Sequence, residues 1–507
     1  MKKTSFINSD RLNQTALFFI LLASFLYFLP RWADQNTNSR MDMIVAVVEN
    51  GTFQIDPYVQ NTVDFAKVGD HFYSDKPPGA GLLGIPVYAG LRLVLQSPLT
   101  VPLVERLSAN PAFQATLNAS GTGISLDKVR IAISQVAVTY LVATLPTLLL
   151  ALLLYRLLRK LQVTPGASFF TVLAYGLLTP AFAYANNFYS HQLSSALLFA
   201  AFFLAFNRQK LVQTGRLLLS GLLIGYAVIS EYQVVLIAGI LFLYTFYQLF
   251  RSGSWLKIGW VMLAGLVVMA GWMIYNTLIF GGPFNISYAY SADWTAQHQT
   301  GFMSLTYPHL DALWGMTFSL FRGLFLLSPL LLLAFPGLVS WWRSRSFRPE
   351  LVAVTAIILA MGLFNSSSVM WWGGFAVGPR YFLPAVPFMA LPLGIFLGRN
   401  AQKAWVSILA GLLALFSLFA TWGMTLAGQS FPPDTILDPF SAYVFPNWLS
   451  GNIARNLGTL LGFKGVTSLA PLAIILLSIG LAWVLLGQSM LNKQKNLQWK
   501  IENSSLS

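Results

Sequence analysis

The sequence predicts an all-α polytopic membrane protein of about twelve transmembrane helices, in a range of roughly eleven to thirteen. Three observations carry this prediction. Of 507 residues 56% are hydrophobic and only 9% charged, with a mean hydropathy of +0.63, whereas a soluble domain is about 25% charged. Apolar runs long enough to cross a bilayer recur along the whole chain. The basic residues cluster in alternate loops, as the positive-inside rule requires. A formal charge of +14 would suggest nucleic acid in a soluble protein, but here it reports orientation, and no nucleic-acid partner is expected. Cysteine is absent, which excludes disulfides, thiol nucleophiles, iron–sulfur clusters and cysteine zinc sites.

In order, the apolar runs fall at Leu12–Pro30, Ile131–Leu154, Ala167–Tyr184, Leu193–Phe206, Leu217–Ile229, Tyr232–Phe250, Ile258–Ile279, Leu324–Trp341, Leu351–Phe364, Tyr381–Leu397, Ala404–Trp422 and Leu469–Leu486. A further run, Ala80–Leu95, would carry the Arg156, Arg159, Lys160 cluster outside and invert every later loop if it spanned. It is therefore expected to lie at the interface as an amphipathic or re-entrant helix. With both termini inside, the cytoplasmic side holds 19 basic residues against the three acids Asp10, Glu350 and Glu502, a balance of +16 that leaves −2 outside. MKKTSFINSDRL has no small-residue cleavage pattern, so a retained first helix is expected.

The transmembrane unit is expected over residues 1–487, with a polar cytoplasmic tail at 488–507. No internal repeat stands out, and no cytoplasmic loop is long enough for a nucleotide-binding domain. The long connections, 31–130, 280–323, 365–380 and 426–468, all fall outside. Chemistry is therefore expected on the outer face of a plasma (inner) membrane protein.

The first outer loop opens RWADQNTNSRMDMIVAVVENG, where Asp34, Asn36, Asn38, Arg40 and Asp42 crowd the exit of the first span. Polar groups packed at a membrane interface are costly unless paired, which marks a candidate site; helix capping is the plain alternative. Met41, Ile44, Val45 and Val48 recur at helical spacing, so a short helix over Asn38–Glu49 is expected, closed by Gly51. Next comes VGDHFYSDKPPGAGLLGIPVY, a short strand or turn carrying Tyr73, Asp75 and Lys76 into two prolines. An ammonium fixed there could meet a phosphate at headgroup depth, or simply snorkel. Gly79, Gly81 and Gly84 spell GxGxxG without the strand that a dinucleotide site needs, so they carry no such signal.

His191 in NNFYSHQLSS stands at an outer helix end, and Glu231 in ISEYQ is the acid most nearly embedded in apolar sequence. Glu231 needs a partner, whether an arginine, a metal or a substrate. In NSSSVMWWGGFAVGPRYFLPAVP, Trp371 and Trp372 offer faces for a sugar or belong to the ordinary aromatic belt. Arg380 beside them suits bidentate phosphate binding. This inventory fits an anionic, lipid-linked substrate, since nucleotide donors are cytoplasmic and no nucleotide fold is present.

An Asp/Asn-rich first loop, a tyrosine, an acid and Lys-Pro-Pro before an interfacial helix, and later GPRYFLPAVP, together resemble the C-type (GT-C) membrane glycosyltransferases, in particular the protein O-mannosyltransferase and lipid A aminoarabinose transferase group. The resemblance implies a GT-C fold, a polyprenyl-phosphate sugar donor, a lipid, protein or glycan acceptor, and inversion at the anomeric carbon. It places Lys76, with Tyr73 and Arg380, at the lipid phosphate. Asp75 matches an acid that is a metal ligand in some aminoarabinose transferases, and His191 falls near a second family aspartate. A divalent metal held by Asp75 and His191 thus stays open, and no cofactor is otherwise implied. The family's first-loop catalytic aspartate falls on Asn36. An amide cannot act as a base, so Asp34 or Asp42 is expected to substitute. His191, Glu231, Trp371 and Trp372 are left for the sugar or acceptor. The competing readings are a lipid-linked sugar flippase, or a glycan ligase or polymerase.

Overall fold

The computed structural model describes residues 2–32, 34–109, 111, 128–206 and 208–504. Among these, seven helices are long and apolar enough to cross a membrane: Val129–Lys160, Tyr232–Phe250, Trp255–Phe280, Arg348–Ser367, Arg380–Arg399, Ala404–Leu426 and Gly465–Met490. Four shorter apolar helices, Gly79–Leu95, Pro165–Leu177, His191–Phe206 and Thr214–Ser230, pack among them, and the chain opens on a helix over Lys2–Leu26. The protein is a helical, multi-pass membrane protein. Apolar side chains such as Leu266, Leu278, Leu415 and Leu477 stand outward, as a lipid solvent allows.

The expected count of twelve does not emerge directly. The run at Leu324–Trp341 is broken into Leu324–Leu327, a 3₁₀ turn at Pro329–Leu333 and a helix at Ala334–Arg343. Pro329 has no N–H to continue the ladder, and Ser328 before it leaves helical geometry at φ −138° and ψ 63°, as residues preceding proline tend to. The tail expected at 488–507 is the continuation of a helix over Ala470–Ser504; residues 505–507 and the middle of the first loop, 112–127, lie outside the described residues.

In the first loop the expected helix forms over Gln35–Asn50, and Gly51 closes it in the left-handed region at φ 67°. A two-stranded antiparallel hairpin follows, Phe65–Val68 with His71–Ser74, in register from Phe65 opposite Ser74 to Val68 opposite His71. Gly69, at φ 60°, makes the two-residue turn with Asp70. Gly79, Gly81 and Gly84 prove to be a packing face on the Gly79–Leu95 helix. A Cβ at Gly79 would meet the Ser230 side chain and sit 2.8 Å from the Ser230 Cα, one at Gly81 would strike Met43, and one at Gly84 would strike Ile44. The close approach brings this helix onto both the Gln35–Asn50 helix and the end of Thr214–Ser230. Gly221 and Gly225 do the same between Thr214–Ser230 and the helix ending at Phe280, lying against Val261 and Gly265, the small-residue packing expected of membrane helices.

The four long connections are stitched to one another. Ala66 of the hairpin bridges Ser291, and the Ala292 N–H donates to the Phe65 carbonyl at 3.0 Å. Ser304 accepts from the Val369 N–H at 2.8 Å, and Ser367 accepts from the Thr306 N–H at 2.9 Å. Arg322, fully buried, donates to the Gly374 carbonyl at 2.8 Å and the Pro432 carbonyl at 3.1 Å. A guanidinium presents a rigid fork of five donors. One side chain therefore pins the 365–380 connection to the 426–468 connection.

Candidate active site

The stitched connections enclose a cavity of ≈ 210 Å³. Each of the four segments that the charge asymmetry assigns to the outer side contributes to its lining: Asp34, Asn36, Arg40, Asp64, Asp75 and Lys76 from the first, Tyr288, Trp294, His298 and Ser304 from the second, Phe375 and Arg380 from the third, Ser430 from the fourth. Tyr189, His191 and Glu231 complete it from the ends of the membrane helices.

Lys76 is buried between two carboxylates, its Nζ lying 2.8 Å from Asp64 and 3.0 Å from Asp75. Ser287 donates to the Asp75 carbonyl at 2.7 Å and Ser291 to its carboxylate at 3.1 Å, so the 280–323 connection clamps this end of the hairpin. Burial alone would push all three groups toward neutrality. For Asp64 burial is the largest single influence, but Lys76, with Arg380 and Arg40 adding to it, outweighs burial and holds the carboxyl below the usual carboxylate range. For Asp75 burial prevails and its carboxyl sits above that range despite the same ammonium. Lys76 is raised, because two carboxylates more than offset its own desolvation.

Two other cations face the cavity without such pairing. Arg40, buried on the Gln35–Asn50 helix, donates to the Asn36 carbonyl at 3.2 Å, to the Asn36 side chain, and to the Ser190 hydroxyl at 2.9 Å. Arg380 donates to the Tyr381 hydroxyl at 3.5 Å and lies 5.6 Å and 5.2 Å from the ring centroids of Tyr189 and Tyr381. The buried Nε of each has no hydrogen-bond partner, and among the described residues neither makes an ion pair with a carboxylate.

The other residues expected in a site divide. Asp34 caps the Gln35–Asn50 helix, accepting from the Thr37 N–H at 2.7 Å, while its second oxygen accepts from the Tyr189 hydroxyl at 2.6 Å. Capping and cavity-lining coexist in this one carboxylate. His191 Nδ1 and Glu231 lie 2.8 Å apart, both buried. Asp42, by contrast, is absent from the lining. It is buried, its only hydrogen bond among the described residues comes from Asn61 at 3.2 Å, and burial pushes its carboxyl well above the usual range. Tyr73 also points away, its ring 6.2 Å from that of Phe280 and its hydroxyl accepting from Gln54 at 3.4 Å. Trp371 packs over Gly315, and Trp372 donates to Asp434 at 3.2 Å; neither lines the cavity.

The donor set does not fit a metal. Among the described residues no three His, Asp or Glu side chains come together to hold an ion. Asp75 is engaged by Lys76 and His191 by Glu231. Reading the sequence alone overlooks Asp64, the nearest partner of Lys76, and also Tyr189, Tyr288 and His298. The His298 ring stacks on Tyr288 at 4.7 Å, and burial foremost, with Lys76 adding to it, lowers its imidazole to about 4.

No family model matches the chain, and no curated protein matches it. Among solved structures it is similar to ArnT from Cupriavidus metallidurans bound to undecaprenyl phosphate, at 17% identity and a TM-score of 0.49 over 96% of this chain and 74% of that one. The apo state of ArnT matches at 15% identity and a TM-score of 0.46, over 81% of this chain and 63% of that one. An Archaeoglobus fulgidus oligosaccharyltransferase tethered with an acceptor peptide matches at 13% identity and a TM-score of 0.47, over 81% of this chain and 54% of that one. The chain thus spans less than two thirds of the length of the apo ArnT chain and of the oligosaccharyltransferase.

Proposed function

We propose that this protein is an integral-membrane glycosyltransferase of GT-C type, moving a sugar from a polyprenyl-phosphate donor to a lipid, protein or glycan acceptor with inversion. We place it in the plasma membrane with the cavity on the outer face and both termini in the cytoplasm. The observation that carries this reading is the cavity in which Arg40 and Arg380 present guanidinium groups that touch no carboxylate directly, with Asp64 and Glu231 acting on them only at a distance, beside Lys76. Burying an unpaired charge is strongly unfavourable, on the order of 3–5 kcal/mol when a partner is taken away. An anionic ligand would give the two guanidinium groups a direct partner. Lys76 has three N–H donors and spends two on Asp64 and Asp75, leaving one for a phosphate oxygen.

The chemistry follows from the leaving group. In the donor the phosphodiester carries one charge; as the anomeric C–O bond breaks, the phosphate gains a second. Cations fixed beforehand in a partly dry cavity favour that later state over the earlier one, which lowers the barrier. Arg380 is held by rings rather than in direct contact with an acid, so its guanidinium is open to the growing charge. The tyrosine, tryptophan and histidine faces of the same cavity offer surfaces to a sugar.

The test has two arms. The protein in lipid nanodiscs is titrated with undecaprenyl phosphate, and lipids, proteins and glycans are compared by mass spectrometry with and without the chain. Binding, together with loss of one sugar from an acceptor, is expected. Binding with accumulation of the lipid-linked sugar on the cytoplasmic side would instead identify a flippase, and absence of binding would overturn the phosphate site.

A further inference from the structure

The acceptor hydroxyl or amine must lose a proton, and the first-loop acids are poorly placed to take it. Asp34 has both oxygens engaged, by the Thr37 N–H and the Tyr189 hydroxyl. Asp64 and Asp75 are bound to Lys76, Asn36 is an amide, and Asp42 lies outside the cavity. Resting on the transferase reading above, we propose that His191 is the proton acceptor and that Glu231 is the residue that positions it.

His191 opens the His191–Phe206 helix, and its ring is fixed on three sides. Tyr184 meets it edge-on at 5.6 Å, Tyr189 stacks at 5.9 Å, and Tyr381 closes the third side at 6.3 Å. Glu231 reaches the same point from the break between Thr214–Ser230 and the turn at Tyr232–Val234, in extended geometry at φ −156°. Its Oε2 lies 2.8 Å from His191 Nδ1 and accepts from Ser190 at 3.2 Å. Ser190 in turn accepts from Arg40 at 2.9 Å, so a continuous chain runs from the cation that faces the phosphate to the imidazole.

The 2.8 Å approach of Glu231 to Nδ1 favours one tautomer. An ionised carboxylate only accepts, so Nδ1 carries the proton and the lone pair sits on Nε2. Among the described residues no protein group hydrogen-bonds Nε2, and the ring lines the cavity. A base oriented by a carboxylate through its other nitrogen is the arrangement that nucleophile activation requires. In the transfer, the acceptor heteroatom forms its bond to the anomeric carbon and the bond from that carbon to the phosphate oxygen breaks. The electron pair leaves on polyprenyl phosphate, the acceptor's proton moves to His191 Nε2, and Glu231 faces the imidazolium so formed.

The experiment uses the full-length protein in nanodiscs. Its substrate is undecaprenyl phosphate carrying the sugar found missing by mass spectrometry. His191→Ala is expected to lower kcat about 10²- to 10⁴-fold, with the affinity for undecaprenyl phosphate within about threefold of wild type and partial recovery on adding imidazole. Glu231→Gln is expected to lower kcat with KM for the donor unchanged. Transfer by His191→Ala within about threefold of wild type would overturn the base assignment and leave the transferase intact. So would its loss together with phosphate binding, or without any recovery in imidazole, for His191→Ala and His191→Gln alike. Wild-type protein that binds undecaprenyl phosphate but transfers nothing would overturn the transferase reading itself, and the base with it.

Discussion

Asp64→Asn separates the structural duty of Lys76 from its duty toward phosphate. The ammonium is held at 2.8 Å by Asp64 and at 3.0 Å by Asp75. Neutralising Asp64 removes one charge-assisted hydrogen bond, worth roughly 1.5–3 kcal/mol. The larger penalty of about 3–5 kcal/mol for orphaning a buried charge does not apply, because Asp75 remains. Binding should move the other way. A carboxylate roughly 5 Å from a bound phosphate opposes it by about 3 kcal/mol at an effective dielectric of about 20, which bounds the gain near 100-fold; with residual screening, about tenfold is expected. The variant should therefore melt at lower temperature in nanodiscs yet bind undecaprenyl phosphate more tightly, whereas Lys76→Met should lose both stability and binding. The pH dependence has a definite sign. Because Asp64 is held below 3.8 in the folded protein, its stabilisation is complete above that value and is lost as pH falls through the depressed one. Asp64→Asn should thus flatten the decline in stability below about pH 4. Weaker phosphate binding by Asp64→Asn at unchanged stability would refute the reasoning, and would make Asp64 a ligand-contacting group.

Arg380→Met removes a cation that leans on two tyrosine rings and no acid. Transfer should fall at least about 100-fold, in line with loss of a donor to developing charge, with a smaller loss of undecaprenyl phosphate affinity measured on the same nanodiscs. Asp42→Asn should leave turnover within about threefold of wild type, because burial already disfavours the charged form and the side chain does not line the cavity. Collapse of activity in a folded Asp42→Asn protein would restore it as a candidate base. Gly79→Ala places a methyl group against the Ser230 side chain and 2.8 Å from its backbone Cα. Overpacking of this kind costs about 1–3 kcal/mol, so a lower melting temperature is expected with phosphate affinity little changed in the protein that remains folded.

The membrane helices were legible because hydropathy is a property of each segment by itself. The span broken at Leu327 carried a visible warning in Pro329, and the run Ala167–Tyr184, which breaks between Leu177 and Ala181, carried one in Pro180. The pairing of Lys76 with Asp64 is more instructive, because twelve positions separate the two residues and nothing in composition links them. Local turn chemistry does. Gly69-Asp70 between alternating strands marks a two-residue hairpin, which sets Val68 opposite His71 and, counting outward, Phe65 opposite Ser74. One step further the same register sets Asp64 opposite Asp75, next to Lys76. The acidic cradle is therefore available from the sequence to a reading that counts register, and is hidden from one that leaves the strand without a partner.

No such count reaches the pair of His191 and Glu231. Forty positions separate them, and they meet because the Thr214–Ser230 helix ends where the His191–Phe206 helix begins, while Gly79, Gly221 and Gly225 let the Thr214–Ser230 helix lie close to two other helices. Gly79, one of the glycines that read as a failed nucleotide motif, thus packs beside Ser230, next to the carboxylate that is proposed to orient the imidazole. On this argument the two halves of the chemistry depend on different kinds of information. The acid that restrains Lys76 follows from a local turn, while the base at His191 follows from how closely helices pack. A change in helix packing should accordingly disturb proton transfer before it disturbs phosphate binding.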